Sequence, residues 1–133
     1  DGHPLYVGRG GIMGDRAGNF AVQNSDFVLS LGSRLSIRQV GYNYKTWARE
    51  AFVAAVDIDA EELRKPTLHI DLPVNADVKS VIDKLLLRVS SPLADYSAWV
   101  ETCQKWKKDY RKRRTCMHLS ALCPTRCMIT QSL

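Results

Sequence analysis

The chain has 133 residues, of which 45% are hydrophobic and 25% charged, a composition typical of one ordinary globular domain. No apolar run in it approaches the length of roughly 20 residues that a helix needs to span a bilayer. Its first residues lack the basic region and apolar core of a secretion signal. These features argue against a membrane or secreted protein, and we expect a cytoplasmic one.

The net charge of +5 is concentrated in one segment. Residues 105–114 hold seven bases and one acid, a net charge of +6, so the rest of the chain sums to −1. Such a run is usually a solvated face or connection. The alternative is an interaction surface that binds nucleic acid phosphates through counterion release. Only Trp106 and Tyr110 interleave the bases, so nucleic acid is the less favoured partner.

All four cysteines lie in the last 31 residues, and the body of the chain has none. A disulfide framework would instead staple the body of a small secreted domain. Cys116, His118, Cys123 and Cys127 can be drawn as a zinc site, but their spacing matches no compact zinc motif. We therefore predict no metal site, and the order of residues supports no catalytic Ser-His-Asp or Cys-His group.

The first half of the chain predicts two buried strands. Leu5–Val7 is predicted to end a short strand before a glycine turn, and Asp15 to cap the helix that follows. Residues 26–31 form a short apolar run ended by Gly32, which is typical of a buried parallel strand. Residues 51–57 form a second such run, which ends in an acid.

The second half predicts one more strand and three helices. Residues 60–64 make about one helical turn before Pro66, and residues 68–72 are the third strand candidate. Asp77 caps the clearest helix, whose apolar residues repeat at helical spacing. A last helix over residues 97–110 places Trp99, Cys103, Trp106 and Tyr110 on one stripe, which we expect to pack against the body. The alternative for this stripe is a partner surface.

This alternation predicts an α/β fold, a three-layer sandwich with a small, mainly parallel sheet of three or four strands flanked by helices. Three segments carry a family resemblance: residues 10–26, residues 31–35, and residues 56–59 followed by Glu62. In this order and spacing they resemble the middle domain of thiamine-diphosphate enzymes of the acetolactate synthase type. The resemblance covers about residues 2–87. It implies half of a Rossmann-like, doubly wound domain of the DHS-like NAD/FAD-binding kind.

The resemblance also implies a nucleotide site, because this domain holds FAD in some members and ADP in others, while in further members the groove is vacant. A glycine turn before a helix can offer N–H groups to phosphate, an arginine can bind phosphate oxygens, and acids at a strand end can bind ribose or adenine. The alternatives are a surface salt bridge for Arg34 and a helix cap for Asp59. The cofactor contacts map to Gly11, Met13, Gly14, Arg34, Asp57, Ile58 and Asp59.

We accordingly expect residues 1–90 to be a truncated middle domain, residues 91–110 a C-terminal helix, and residues 111–133 a basic, cysteine-containing tail that is disordered or outside the family. Translation from another frame is one hypothesis for the tail. We expect a structural or residual nucleotide-binding role without catalysis, and a homodimer formed across an exposed strand edge. Thiamine diphosphate and Mg²⁺ belong only to the full parent enzyme, a 2-keto acid decarboxylase or carboligase, and this sequence lacks the Gly-Asp-Gly segment that binds them.

Overall fold

The computed structural model describes residues 2–89 and 94–118, and for residues 111–118 it describes the backbone alone. Within these residues helices alternate with short strands. A 3₁₀ turn, Tyr44–Thr46, lies between the second helix and the second strand. The elements are α1 (Arg16–Gln23), β1 (Phe27–Leu31), α2 (Ile37–Val40), β2 (Phe52–Asp57), α3 (Ala60–Leu63), β3 (Leu72–Asn75), α4 (Val78–Arg88) and α5 (Ser97–His118).

The three strands form one parallel sheet in the order β1-β2-β3. Val28 pairs with Val53 on β2, and Ala55 pairs with Pro73 on β3. The central strand is the core of the molecule, since residues 53–57 are all buried. This burial explains why β2 is a continuous apolar run rather than an alternating one. The predicted α/β fold with a small parallel sheet flanked by helices is confirmed.

The order of the strands fixes the side on which the connections lie. The chain moves in one direction from β1 to β2 and then to β3. Because parallel crossovers are almost always right-handed, the two connections are expected to cross the same face of the sheet. On the second connection, α3 packs against β2 and β3. The clearest predicted helix, α4, begins as expected: the Asp77 carboxylate accepts a hydrogen bond of 2.9 Å from the Ser80 N–H.

The aromatic stripe of α5 packs against α1. The Phe20 ring centroid lies 5.9 Å from that of Trp106 and 5.3 Å from that of Tyr110. Cys103, on the same stripe, is 3% exposed. The predicted contact of this helix with the body is therefore confirmed, and its aromatic rings form an apolar cluster with α1.

Helix α5 also holds the beginning of the described chain. The Gln104 side chain donates to the Pro4 carbonyl, and the Lys107 ammonium donates to the Tyr6 carbonyl. The same ammonium lies 5.1 Å from the centroid of the Tyr6 ring. The segment that leads into the glycine turn is thus fixed by a helix about 100 positions later in sequence.

Two sequence predictions about elements are wrong. Residues 5–7 form no strand. Asp15 does occupy the N-cap position of α1, as predicted, but its carboxylate accepts the Arg9 N–H at 3.1 Å rather than an N–H of the helix. The last helix continues to His118 rather than ending at Tyr110. Arginine and lysine favour helices without any apolar periodicity, which is the signal that the prediction used.

The third strand also begins later than predicted, at Leu72 rather than Leu68. The Asp71 carboxylate accepts the Val53 N–H at 2.7 Å, and its own N–H donates to the Val53 carbonyl. A side chain therefore occupies the place of a strand partner at the start of β2, and strand pairing begins with the next residue. The alternating apolar residues before it line a pocket instead.

We predict that Asp71 makes stability depend on acid pH. The Val53 N–H is the main cause that lowers the pKa of this carboxyl, and His69, whose Nε2 lies 3.0 Å from it, adds to the effect. A lowered folded-state pKa contributes stability above the unfolded value of about 4, and this contribution disappears as pH falls through the folded pKa. Asp71→Ala should lower the melting temperature at pH 7.

Thermal melts between pH 2 and pH 7 test this prediction. The gap between wild type and Asp71→Ala should close as pH falls. His69→Ala, which leaves the bond to Val53 in place, should show a smaller gap at pH 7. A gap that is constant across the whole pH range would contradict the assignment to ionised Asp71.

Candidate functional site

Two of the sequence-predicted site residues line one pocket at the carboxyl ends of β1 and β2. Arg34 follows β1 and Asp57 ends β2, and the strand pairing brings these ends together. Ligands of open α/β sheets bind at this edge. The walls of the pocket come from the two strands, α3 and the chain that leads to β3. They are Ser30, Arg34, Leu35, Ala55, Val56, Asp57, Glu62, Leu63, Lys65, Leu68 and Ile70.

The backbone at Arg34 has an uncommon conformation. Its φ is +57° and that of Leu35 is +40°, both in the left-handed region that non-glycine residues rarely adopt. The Lys65 ammonium donates to the Arg34 carbonyl at 2.9 Å and also pairs with the Glu62 carboxylate. The ion pair of Glu62 and Lys65, at the end of α3, therefore holds the turn after β1, and this turn carries the Arg34 side chain to the rim of the pocket.

The acid-tipped end of β2 is well ordered by hydrogen bonds. Asp57 is 6% exposed and accepts the Asp59 N–H at 3.0 Å. Asn75, at the end of β3, donates to the carbonyls of Asp57 and Ile58 at 3.1 and 2.9 Å. This network fixes a buried carboxylate against the pocket, where it can accept hydrogen bonds from hydroxyl groups.

The neighbouring residues of Asp57 do not line the pocket. Ile58 is 76% exposed. The Asp59 carboxylate accepts the Glu61 N–H at 3.0 Å and so caps α3. The alternative considered for Asp59, a helix cap that needs no ligand, is therefore what the geometry shows.

The glycine turn lies beside the segment after β1 but does not line the pocket. The Ile12 N–H donates to the Arg38 carbonyl at 2.8 Å, which ties the turn to the chain that follows β1. The Gly11 N–H donates to the Asn19 side chain at 2.7 Å, and the Gly14 N–H to the Gly11 carbonyl at 2.9 Å. These donors are thus used within the turn rather than aimed at a phosphate. Met13, between them, is 88% exposed.

Packing explains why the turn needs glycine. A Cβ on Gly14 would lie 2.3 Å from the Arg9 carbonyl oxygen, and one on Gly11 would lie 2.3 Å from the Arg38 carbonyl oxygen. A Cβ on Gly18 of α1 would also be too close to the Arg9 backbone, at 2.6 Å from its carbonyl oxygen. Close packing against backbone therefore explains Gly18 as well as the two glycines of the turn.

Sequence reasoning missed much of the pocket. Glu62 and Lys65 are three residues apart on and after α3, a spacing that predicts an ion pair but not its position. Leu68 and Ile70 were assigned to the third strand, and Ser30 to the apolar run of the first strand at residues 26–31. No local signal places these residues opposite Arg34 and Asp57, because the contact depends on how the chain crosses the sheet.

Other kinds of site find no support in the described residues. Among residues 2–89 and 94–118, no group of three or more His, Cys, Asp or Glu side chains is placed to hold a metal ion. No helix in that part of the chain combines the length and apolarity that crossing a membrane requires. Cys116 and His118 belong to the segment whose side chains are not described, and Cys123 and Cys127 lie outside the described residues.

A parallel sheet, a glycine turn before its first helix, and a basic and an acidic residue at neighbouring strand ends define a Rossmann-like α/β unit. Comparison with protein families gives a more specific result. The family model for the thiamine pyrophosphate enzyme central domain matches residues 1–85. The chain belongs to this family, as its resemblance in sequence predicted.

Relatives of the chain are large subunits of acetolactate synthase. It is 36% identical to that of Lactococcus lactis over 106 residues and 34% identical to the probable one of Methanocaldococcus jannaschii over 107 residues. It is 31% identical to the isozyme 2 large subunit of Escherichia coli over 112 residues. These alignments cover 80–84% of this chain but 18–19% of the relatives, so the chain spans about a fifth of their length.

Proposed function

We propose that this chain is a non-catalytic middle-domain unit with a residual site for the ADP part of a nucleotide such as ADP or FAD. The observation that carries the proposal is the shared pocket of Arg34 and Asp57 at the carboxyl ends of neighbouring parallel strands. The Arg34 guanidinium would bind phosphate oxygens, and the Asp57 carboxylate would accept hydrogen bonds from ribose. Leucine and isoleucine side chains would enclose the base.

The arrangement supports weak rather than tight binding. Most N–H groups of the glycine turn already donate within the protein, so Gly11 and Gly14 would contribute close backbone approach rather than hydrogen bonds. Met13 and Ile58, both highly exposed, would contact the ligand through their side chains, and Asp59 would act through the cap of α3. Phosphate recognition would then depend chiefly on one guanidinium.

Calorimetric titration with ADP and with FAD tests this site. We expect Arg34→Ala to weaken binding by at least about tenfold, because one charge-assisted contact contributes roughly 1.5–3 kcal/mol and about 1.4 kcal/mol corresponds to a factor of ten. Arg49→Ala is the matched control, since Arg49 is exposed and does not line the pocket. Equal affinity of the two variants would contradict the proposed site, and tighter binding of FAD than of ADP would identify the larger cofactor.

The activity of the whole protein is a further proposal. The family relationship supports decarboxylation and carboligation of a 2-keto acid in a complete enzyme, in which thiamine diphosphate supplies the carbanion chemistry. The described residues do not fit that group, because they offer neither a diphosphate-binding acidic segment nor a metal site. We therefore propose that other domains hold thiamine diphosphate and Mg²⁺, and that this chain alone is inactive.

We propose in addition that the chain forms a homodimer and acts in the cytoplasm. An open strand edge favours pairing with another chain. The one described free cysteine whose side chain is placed, Cys103, is buried, as suits a protein that needs no disulfide.

The nucleic-acid alternative for residues 105–114 remains a prediction. The contact of Lys107 with Tyr6 speaks against it, since this base already has a structural role.

A further inference from the structure

Four charged residues line the pocket at the carboxyl ends of β1 and β2. They are the bases Arg34 and Lys65 and the acids Asp57 and Glu62. Lys65 forms an ion pair with Glu62. Arg34 forms no ion pair with any residue whose side chain the structure describes. The pairing of Lys65 with Glu62 thus leaves the Arg34 guanidinium open to an anion.

Lys65 also holds the left-handed turn that carries Arg34. Non-glycine residues keep a positive φ, as Arg34 and Leu35 do, only where the surrounding structure holds the backbone in place. The Lys65 ammonium donates to the Arg34 carbonyl at 2.9 Å. In the described part of the chain, no other hydrogen bond reaches the backbone of Arg34 or Leu35. Without Lys65, we expect the turn to relax and to move the Arg34 side chain away from the rim of the pocket.

The same ammonium neutralises an acid that would otherwise compete for Arg34. The Glu62 side chain is 20% exposed, and its Oε2 atom is shielded from water. Among the described residues, this atom has no polar partner apart from its ion pair with Lys65. A carboxylate left unpaired in such a place is costly. Without Lys65, Glu62 would therefore attract Arg34, the other base of the pocket, and would cancel the charge that a phosphate needs.

We infer, on the basis of the proposed nucleotide site, that Lys65 is a positioning residue that sets phosphate affinity through Arg34 without contacting the ligand. Its two interactions act in the same direction. The bond to the Arg34 carbonyl keeps the guanidinium at the rim, and the ion pair with Glu62 keeps a competing carboxylate away. Because the ammonium already has these two protein partners, it is poorly placed to bind a phosphate itself.

Calorimetric titration of the full chain with ADP tests the inference. Lys65→Met should weaken binding about tenfold, which corresponds to a binding-competent turn in about a tenth of the molecules. Addition of Glu62→Gln should restore the affinity to within about fourfold of wild type, because an amide does not compete for Arg34. The matched control is Arg64→Met with Glu61→Gln. This ion pair has the same spacing, is exposed and does not line the pocket, so its removal should leave binding unchanged.

An Arg34→Ala background separates positioning from direct contact. Lys65→Met with Glu62→Gln removes the ion pair without changing the net charge. In the Arg34→Ala background this double change should alter ADP affinity by less than about 1.5-fold, because Lys65 acts through Arg34. Weakening of the same size in both backgrounds would overturn the inference, since Lys65 would then contact the phosphate itself.

Thermal melts without ligand distinguish positioning from a purely structural role. Variants at Lys65 that melt at a lower temperature but bind ADP like wild type would overturn the inference and leave the nucleotide site intact. Failure of Glu62→Gln to restore any affinity would overturn the neutralising role of Lys65. A wild-type chain that does not bind ADP would overturn the proposed site and this inference together.

Discussion

Replacing Trp106 with alanine is expected to lower the free energy of unfolding by about 3 kcal/mol, the low end for an aromatic truncation because this side chain is only half-buried. Trp106 lies between Phe20 of α1 and Trp99 of α5, with ring centroids 5.9 and 5.8 Å away. Its removal opens the cluster that attaches α5 to the body. Chemical denaturation monitored by circular dichroism measures the loss.

The thiol of Cys103 gives an independent readout of the same event. Burial raises the pKa of this thiol, so it should react slowly with a disulfide reagent while α5 is in place. A background with Cys116, Cys123 and Cys127 changed to serine restricts the signal to Cys103. Trp106→Ala should speed the reaction, whereas Lys105→Ala, an exposed position on the same helix, should not. Equal rates for the two variants would show that α5 is not held by the aromatic cluster.

Replacing Gly14 with alanine is expected to destabilise the fold by about 3 kcal/mol or to prevent folding. The new Cβ would lie 2.3 Å from the Arg9 carbonyl oxygen and 2.7 Å from the Gly10 carbonyl carbon. Both atoms belong to backbone, which cannot rotate away as a flexible side chain can. The turn would have to open, and with it the hydrogen bond from the Asp15 N–H to the Arg9 carbonyl.

Gly10, in the same turn, supplies the matched control. A Cβ there meets its nearest neighbours at 3.7 and 3.8 Å, which is ordinary contact. Gly10→Ala should therefore change the free energy of unfolding by less than about 1 kcal/mol. Comparable losses for the two variants would show that the turn tolerates no side chain anywhere. The packing account of Gly14 would then be wrong.

The sheet was predictable where burial dominates the sequence pattern. Strand β2 is buried along most of its length, and its apolar run identified it almost to the residue. Strand β3 was misplaced because Leu68 and Ile70 alternate like a strand but line a pocket, while Asp71 takes a backbone position at the start of β2. A local pattern records that side chains are buried, but not what they are buried against.

The site was predictable to the extent that it depends on strand ends. Arg34 and Asp57 follow neighbouring parallel strands, so their meeting at one rim follows from topology. The part that Glu62 and Lys65 take in holding the turn after β1 could not be predicted. It depends on a left-handed backbone at Arg34, which the local sequence does not indicate. The glycine turn was expected to offer N–H groups to a phosphate, but its glycines pack against protein carbonyls and the N–H groups of Gly11 and Gly14 donate within the protein.

An ADP titration of ¹⁵N-labelled protein followed by NMR tests the central claim, that Arg34 and Asp57 form one nucleotide-binding pocket, most directly. We expect saturable shifts of the backbone amide signals of Ser30, Arg34, Asp57 and Lys65, with the signals of α5 unchanged. Saturable shifts centred on α5, or none at millimolar ADP, would contradict it.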